Sequence, residues 1–148
     1  MGELNPKAYL VLIARLVLSA AFLFAALPKI QDPVAFAASV EGFRVVAGPS
    51  ALWVALALPW LELVIGVGLL IPQIRRGSAL LIVGLLALFI GLHASAWSRG
   101  LDISCGCYGQ SDTPANYLWL ILRNAALLAA ATVVLVRDWS NPRQRAEP

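Results

Sequence analysis

Four long apolar stretches constrain this chain more than any other feature of its sequence. Each has about the 20 residues that a helix needs to cross a hydrocarbon core of about 30 Å. The stretches are Ala8–Leu27, Ala51–Ile71, Ser78–Trp97 and Tyr117–Val136. Backbone groups in lipid must be satisfied within their own segment, so these runs predict helices. We therefore expect a single all-α domain over residues 1–148: an integral membrane four-helix bundle with a short surface helix in the first outer loop.

The composition agrees with a membrane protein. The chain is 60% hydrophobic and only 13% charged, with a mean hydropathy of +0.80, which is unlike a soluble globular protein. The net charge of +3 includes no basic patch with interleaved aromatic residues, so no nucleic-acid partner is expected. The first stretch is expected to be a retained span rather than a cleaved signal peptide. Arg15 interrupts it, and Pro28 separates it from the cleavage-like Ala35-Phe36-Ala37.

The distribution of lysine and arginine predicts the orientation, because these residues are enriched in cytoplasmic loops. One side carries Lys7, Arg75, Arg76, Arg137, Arg143 and Arg145, and the other carries Lys29, Arg44, Arg99 and Arg123. This excess predicts a multi-pass protein of the bacterial inner (plasma) membrane with both termini in the cytoplasm. The loop at residues 98–116 then faces the oxidising side, where disulfides form and persist.

That loop holds the only two cysteines of the sequence, Cys105 and Cys107. A disulfide between them closes almost no chain, so it contributes little by constraining the unfolded state. Gly106 permits the bend that the bond needs, and strained or exposed disulfides are the more oxidising ones. The spacing favours thiol–disulfide exchange, with a purely structural disulfide as the alternative. Two thiolates and one nearby histidine fall short of a closed four-ligand site, so no metal is expected.

Ionisable residues inside the spans are the remaining candidates, since such residues normally face other helices and pair. Arg15 and Glu62 have similar depths, so we expect them to face each other. They form either a structural pair or a site where Glu62 handles protons or contacts a polar ligand. His93 and Arg123 lie beneath the cysteine loop, where they would favour the thiolate and could relay its proton. Alternatively, His93 extends to the interface or bonds a carbonyl.

The candidate site residues therefore fall into two sets. The catalytic candidates are Cys105, Cys107, His93 and Glu62, and the cofactor-binding candidates are Arg15, Glu62 and Arg123. Because the sequence carries no haem or flavin signature, a quinone is the expected electron carrier in the membrane.

Several motifs resemble a known family. The first part of the chain resembles the opening of the DoxX-like membrane proteins, in the motifs Arg15-x-x-Leu18-x-x-x-Phe22, Ala26-x-x-Lys29-Ile30 and Asp32-Pro33-x-x-Phe36. Two later motifs resemble the methylamine utilisation protein MauE branch of that group: Leu58-Pro59-x-x-Glu62 and Cys105-Gly106-Cys107-Tyr108-Gly109. The resemblance implies a four-helix membrane protein that works with a thioredoxin-like partner in extracytoplasmic disulfide chemistry. One departure is Pro28, where the family usually has glycine, and we expect this proline to end the first helix.

The leading functional hypothesis is a membrane thiol–disulfide oxidoreductase. It would exchange electrons between the thioredoxin-like partner and a membrane quinone through Cys105 and Cys107. Quinone-linked disulfide oxidases of analogous architecture generally use a second cysteine pair, so here the partner must meet these cysteines directly. The main alternative is a non-catalytic membrane anchor or scaffold for a secreted redox or maturation enzyme. A transporter or small-ligand carrier built around Arg15 and Glu62 is a third hypothesis.

Overall fold

The computed structural model describes residues 6–101 and 116–140, which form five helices. They are α1 (Pro6–Gln31), α2 (Pro33–Gly42), α3 (Pro49–Gly68), α4 (Arg75–Ser98) and α5 (Tyr117–Ser140). These two described ranges contain no strand. Four of the helices, α1, α3, α4 and α5, are long and apolar enough to cross a membrane. The protein is therefore a multi-pass membrane protein, in agreement with the predicted spans.

Each of the four long helices packs against two others. Helix α1 contacts α3 and α5, and α4 contacts α5 and α3, while α2 packs mainly on α3. The buried apolar side chains between them include Leu18, Phe22, Ile65, Leu69, Ile82, Leu86 and Val134. Many large apolar side chains, such as Leu10 and Phe24, are exposed on the outside of the helices. This distribution suits a lipid environment, in which the outer surface is as apolar as the interior.

Two hydrogen bonds between residues far apart in sequence define one end of the molecule. The Tyr117 hydroxyl donates to the Leu101 carbonyl, which joins the end of α4 to the beginning of α5. Arg99 Nη2 donates to the Phe43 carbonyl over 2.6 Å, which attaches the residue after α2 to the same place. We call this the loop end, because residues 102–115 connect there. The opposite end, where α1 begins and α5 ends, is called the terminal end.

Helix α1 continues through Pro28 to Gln31, so the prediction that this proline ends the helix is wrong. Proline lacks an N–H and removes one helical hydrogen bond. The final turn is nevertheless held, because the Asp32 amide donates to the Pro28 carbonyl over 3.1 Å. Lys29, which the sequence interpretation assigned to the outer side, is therefore a helical residue whose side chain is buried.

Helix α2 forms in the segment where a short helix was predicted. The Asp32 side chain caps it by accepting a hydrogen bond from the Ala35 amide over 2.9 Å, and Pro33 occupies the first turn. None of its residues is fully buried. Its placement at the membrane surface stays a prediction.

Candidate functional site

A buried ion pair joins α1 to α3 at the centre of the candidate site. Lys29 Nζ donates to Glu62 Oε1 over 2.6 Å and to Oε2 over 2.7 Å. The two side chains are 2% and 1% exposed. The free-energy cost of removing two charges from water is offset only when the charges pair in good geometry. The two short hydrogen bonds between Lys29 and Glu62 provide that geometry. Lys29 Nζ also lies 5.1 Å from the Phe36 ring centre and 5.7 Å from that of Phe89, within cation–π range.

The predicted pairing of Arg15 with Glu62 is wrong. Arg15 pairs with Asp138 of α5, whereas Glu62 pairs with Lys29. The predicted fourth span ended at Val136 and therefore did not include Asp138. Helix α5 continues to Ser140, and this extension brings Asp138 into the protein interior.

The register between α1 and α3 explains why Glu62 meets Lys29. Gly66 lies so close to α1 that an added Cβ would be 3.3 Å from the Phe22 Cβ and 3.4 Å from the Ser19 carbonyl oxygen. Glu62 is one turn nearer the loop end than Gly66. It therefore lies beside the second half of α1 rather than beside Arg15.

A second charge cluster lies at the terminal end. Asp138 is 2% exposed and contacts Arg15, while Arg75 Nε at the start of α4 lies 3.8 Å from Asp138 Oδ2. One carboxylate thus links α1, α4 and α5. Sequence reasoning missed Asp138, although an acidic residue directly after an apolar run, with Arg15 and Arg75 predicted on the same side, was an available signal.

His93 is buried in α4 beneath the loop end. Its Nδ1 lies 2.6 Å from the Phe89 carbonyl oxygen, one turn earlier in the helix. A carbonyl can only accept, so Nδ1 carries a proton and donates it in this contact. The carbonyl bond that was the alternative prediction for His93 is therefore present. The Phe43 ring meets the imidazole edge-to-face at 5.5 Å, and Arg99 holds the Phe43 backbone in place.

Two cavities adjoin these polar residues. The large cavity, of about 250 Å³, lies among α2, α3 and α4 and the end of α1. Its lining is almost entirely apolar and includes Phe36, Val40, Phe43, Val54, Leu58, Leu88, Phe89 and Leu92, with Lys29, Ser39 and His93 as the polar members. The small cavity, of about 40 Å³, is lined by Glu62, Arg123 and Asn124 among others. Lys29 and Phe89 line both cavities, so the Lys29 side chain lies between them.

The structure brings some of the predicted site residues together. Glu62 and Arg123 line the small cavity, and His93 lines the large one. Arg15 lines neither of these two cavities and lies at the terminal end. Cys105 and Cys107 lie outside the described residues.

Sequence reasoning missed three residues that complete the site. They are Lys29, Phe43 and Asn124. Lys29 was part of a family-like motif, but the proline before it suggested a loop. Asn124 was detectable as a polar residue within an apolar run.

A family model described as methylamine utilisation protein MauE matches residues 7–137 of this chain. The chain belongs to the MauE family. The predicted resemblance to the MauE branch is thereby confirmed, while the wider DoxX-like relationship stays a prediction. No solved structure matches the chain.

Curated members of the MauE family agree with this assignment. The chain is 34% identical over 122 residues to methylamine utilization protein MauE of Paracoccus denitrificans, covering 81% of this chain and 65% of the relative. It is 39% identical over 109 residues to the MauE of Methylorubrum extorquens, covering 72% and 58%. It is 31% identical over 125 residues to the MauE of Methylophilus methylotrophus, covering 83% and 64%. The chain thus spans less than two-thirds of the length of these relatives.

Proposed function

We propose that this MauE-family protein is a membrane thiol–disulfide oxidoreductase that takes part in methylamine utilisation. It exchanges electrons between an extracytoplasmic thioredoxin-like protein and a quinone in the bacterial inner membrane. The observation that supports this proposal most is the location of the buried polar groups. His93 and Lys29 lie near the loop end, where Leu101 and Tyr117 hold together the two ends of the segment that carries the only cysteines.

The exchange with the partner protein uses two successive thiol–disulfide steps. A partner thiolate attacks one sulfur of the Cys105–Cys107 disulfide, which forms a mixed disulfide and releases the other cysteine as a thiolate. The second thiol of the partner then attacks the mixed disulfide. The partner leaves with a disulfide, and Cys105 and Cys107 are both reduced.

The exchange with the membrane restores the starting state. The reduced pair gives two electrons and two protons to a quinone, which becomes a hydroquinone as the Cys105–Cys107 disulfide forms again. With hydroquinone as the donor, the same steps run backwards and reduce the partner. His93 and the Lys29–Glu62 pair are suited to exchange the protons, because ionisable groups at membrane depth are costly and are usually retained for a function.

Trapping of the mixed disulfide tests the proposal. Cys105→Ser and Cys107→Ser are expressed separately in cells, thiols are blocked by acid quenching, and covalent complexes are separated without reductant. We expect at least one single variant to capture a thioredoxin-fold protein, identified by mass spectrometry. The remaining cysteine thiolate attacks the disulfide of the oxidised partner and releases one partner thiolate, and the mixed disulfide persists because the second cysteine that would resolve it is missing. The Cys105→Ser, Cys107→Ser double variant is the matched control and should capture nothing.

The opposite outcome supports the scaffold alternative. If neither single variant captures a partner, and the reduction potential of the pair lies far below that of the compartment, the bond is structural. The protein would then act as a membrane anchor for a secreted enzyme.

A further inference from the structure

We infer that the large cavity is the binding site for the ring of a quinone, with Lys29 as hydrogen-bond donor to one ring oxygen and His93 facing the other. This inference rests on the proposed function, for which it names the site of electron transfer to the membrane.

The volume of the cavity fits a ring of this size. An apolar cavity of about 150 Å³ is enough to bind benzene. The large cavity has about 250 Å³, which leaves room for a six-membered ring with substituents. Aromatic side chains of two helices, Phe36 of α2 and Phe89 of α4, line the cavity and can pack against a ring.

The polar members of the wall distinguish a quinone from a lipid tail. An acyl chain needs no hydrogen-bond donor. Lys29 and His93 are nevertheless only 3% and 2% exposed, and they line a cavity whose other side chains are nearly all apolar. An ammonium has three donors, and among the described residues Lys29 has two hydrogen bonds, both to Glu62. The remaining donor suits an acceptor that carries no formal charge, such as a quinone carbonyl.

The Lys29–Glu62 ion pair is compatible with both the oxidised and the reduced form of the ligand. The Glu62 carboxylate contacts the Lys29 ammonium directly, so the cavity does not require an anionic occupant to balance it. A quinone oxygen that gains electron density during reduction is stabilised by the same ammonium. The proton that this oxygen takes up has two ionisable neighbours in His93 and Lys29, which both line the cavity.

Binding of a matched pair of ligands to the full chain in lipid nanodiscs tests the inference. The probes are menadione and 2-methylnaphthalene, which share a fused ring system but differ in the two quinone oxygens. We expect menadione to bind at least about tenfold more tightly, since a hydrogen bond to a charged group contributes about that much. Equal affinities, or no binding of menadione in the presence of lipid, would mean that the cavity is an apolar void or holds an acyl chain, and would overturn the inference.

Two substitutions on one helix locate the site. Leu58→Trp places a large ring in the cavity and should abolish menadione binding, whereas Leu61→Trp changes an exposed residue of α3 that lines neither cavity and should leave it unchanged. The Lys29→Met, Glu62→Leu double variant should remove the preference for menadione over 2-methylnaphthalene. Should Leu58→Trp fail to fold, the ligand comparison on the unsubstituted protein still decides the question.

The experiment separates this inference from the proposed function. The Cys105→Ser, Cys107→Ser variant should bind menadione with unchanged affinity, because the inferred hydrogen-bond contacts with the ring come from Lys29 and His93. Partner capture without menadione binding would overturn the quinone site alone. Menadione binding without partner capture would leave the quinone site in place and overturn the thiol–disulfide function.

Discussion

The two carboxylates that are buried within the described part of the chain have different surroundings. Glu62 pairs with Lys29, whose side chain lines both cavities. Asp138 lies between two arginines at the terminal end, with neither cavity beside it. The first arrangement leaves space for a ligand beside the charges, while the second joins three helices.

Lys29→Met should destabilise the protein by about 3–5 kcal/mol, because it leaves Glu62 buried without its cation. Adding Glu62→Leu should recover most of that loss, since an apolar pair of similar volume often replaces a buried ion pair at little cost. Thermal unfolding in mixed micelles measures both variants. Arg44→Met removes an exposed cation and serves as the control, with little expected change. A double variant as unstable as Lys29→Met alone would contradict the pairing.

A double-mutant cycle should separate the two ion pairs. We expect a coupling free energy of about 0.5–3 kcal/mol between Arg15→Met and Asp138→Asn, because these residues are in direct contact. The cycle between Arg15→Met and Glu62→Gln is the matched comparison and should give a value near zero. A large coupling in the second cycle and none in the first would reverse the assignment.

At the element scale, the approach of α1 to α3 sets the position of the site. Helices in lipid associate through close packing of small residues, and Gly66 provides such a contact with Ser19 and Phe22. This contact fixes the register that brings Glu62 to Lys29. Gly84 of α4 offers a contrast, since an added Cβ there would meet nothing within 4 Å.

Gly66→Leu should therefore cost about 1–3 kcal/mol by overpacking, whereas Gly84→Leu should be neutral or slightly stabilising. The measurement is again unfolding in mixed micelles. Accessibility of Glu62 to a carboxyl-directed reagent gives a second readout, because separation of α1 from α3 would expose it. If both variants unfold at the same temperature as the unsubstituted protein, the close contact between α1 and α3 is contradicted.

The helices could be predicted from the sequence because their length and apolarity follow from the bilayer thickness, and the spans and their number agree with the structure. The ion pairs could not be predicted, because the depth of a residue in the membrane does not show which way its helix is rotated or which helices lie beside it. The predicted helix ends were also too early, because α1 continues beyond Pro28 and α5 continues beyond Val136. The extensions include Lys29 and Asp138, and each of these pairs with an opposite charge inside the protein. His93 was recognised, but its contact with Phe43 depends on a turn whose path the sequence does not specify.

At the scale of the whole molecule, the charge distribution agrees with one orientation. When the two buried cations Lys29 and Arg75 are left out of the sequence count, five lysines and arginines belong to the terminal side and three to the loop side, so the excess is the same as before. Both termini are then expected in the cytoplasm, and the segment at residues 102–115 is expected outside.

A membrane-impermeant maleimide added to intact, reductant-treated cells should therefore label Cys105 or Cys107. The double cysteine-to-serine variant controls for background, and lysed cells give the maximum signal. Labelling that appears only after lysis would show that the loop end faces the cytoplasm.

The hydrogen bond from Tyr117 to Leu101 has one further consequence, for how members of this family can diverge. It closes the base of residues 102–115 independently of what lies between them. Loop-closure cost rises by only about 0.6 kcal/mol for each doubling of length, so insertions above this base cost the helices little. Under the proposed function, grafting this segment from a relative should exchange the partner protein without changes to the membrane-spanning helices.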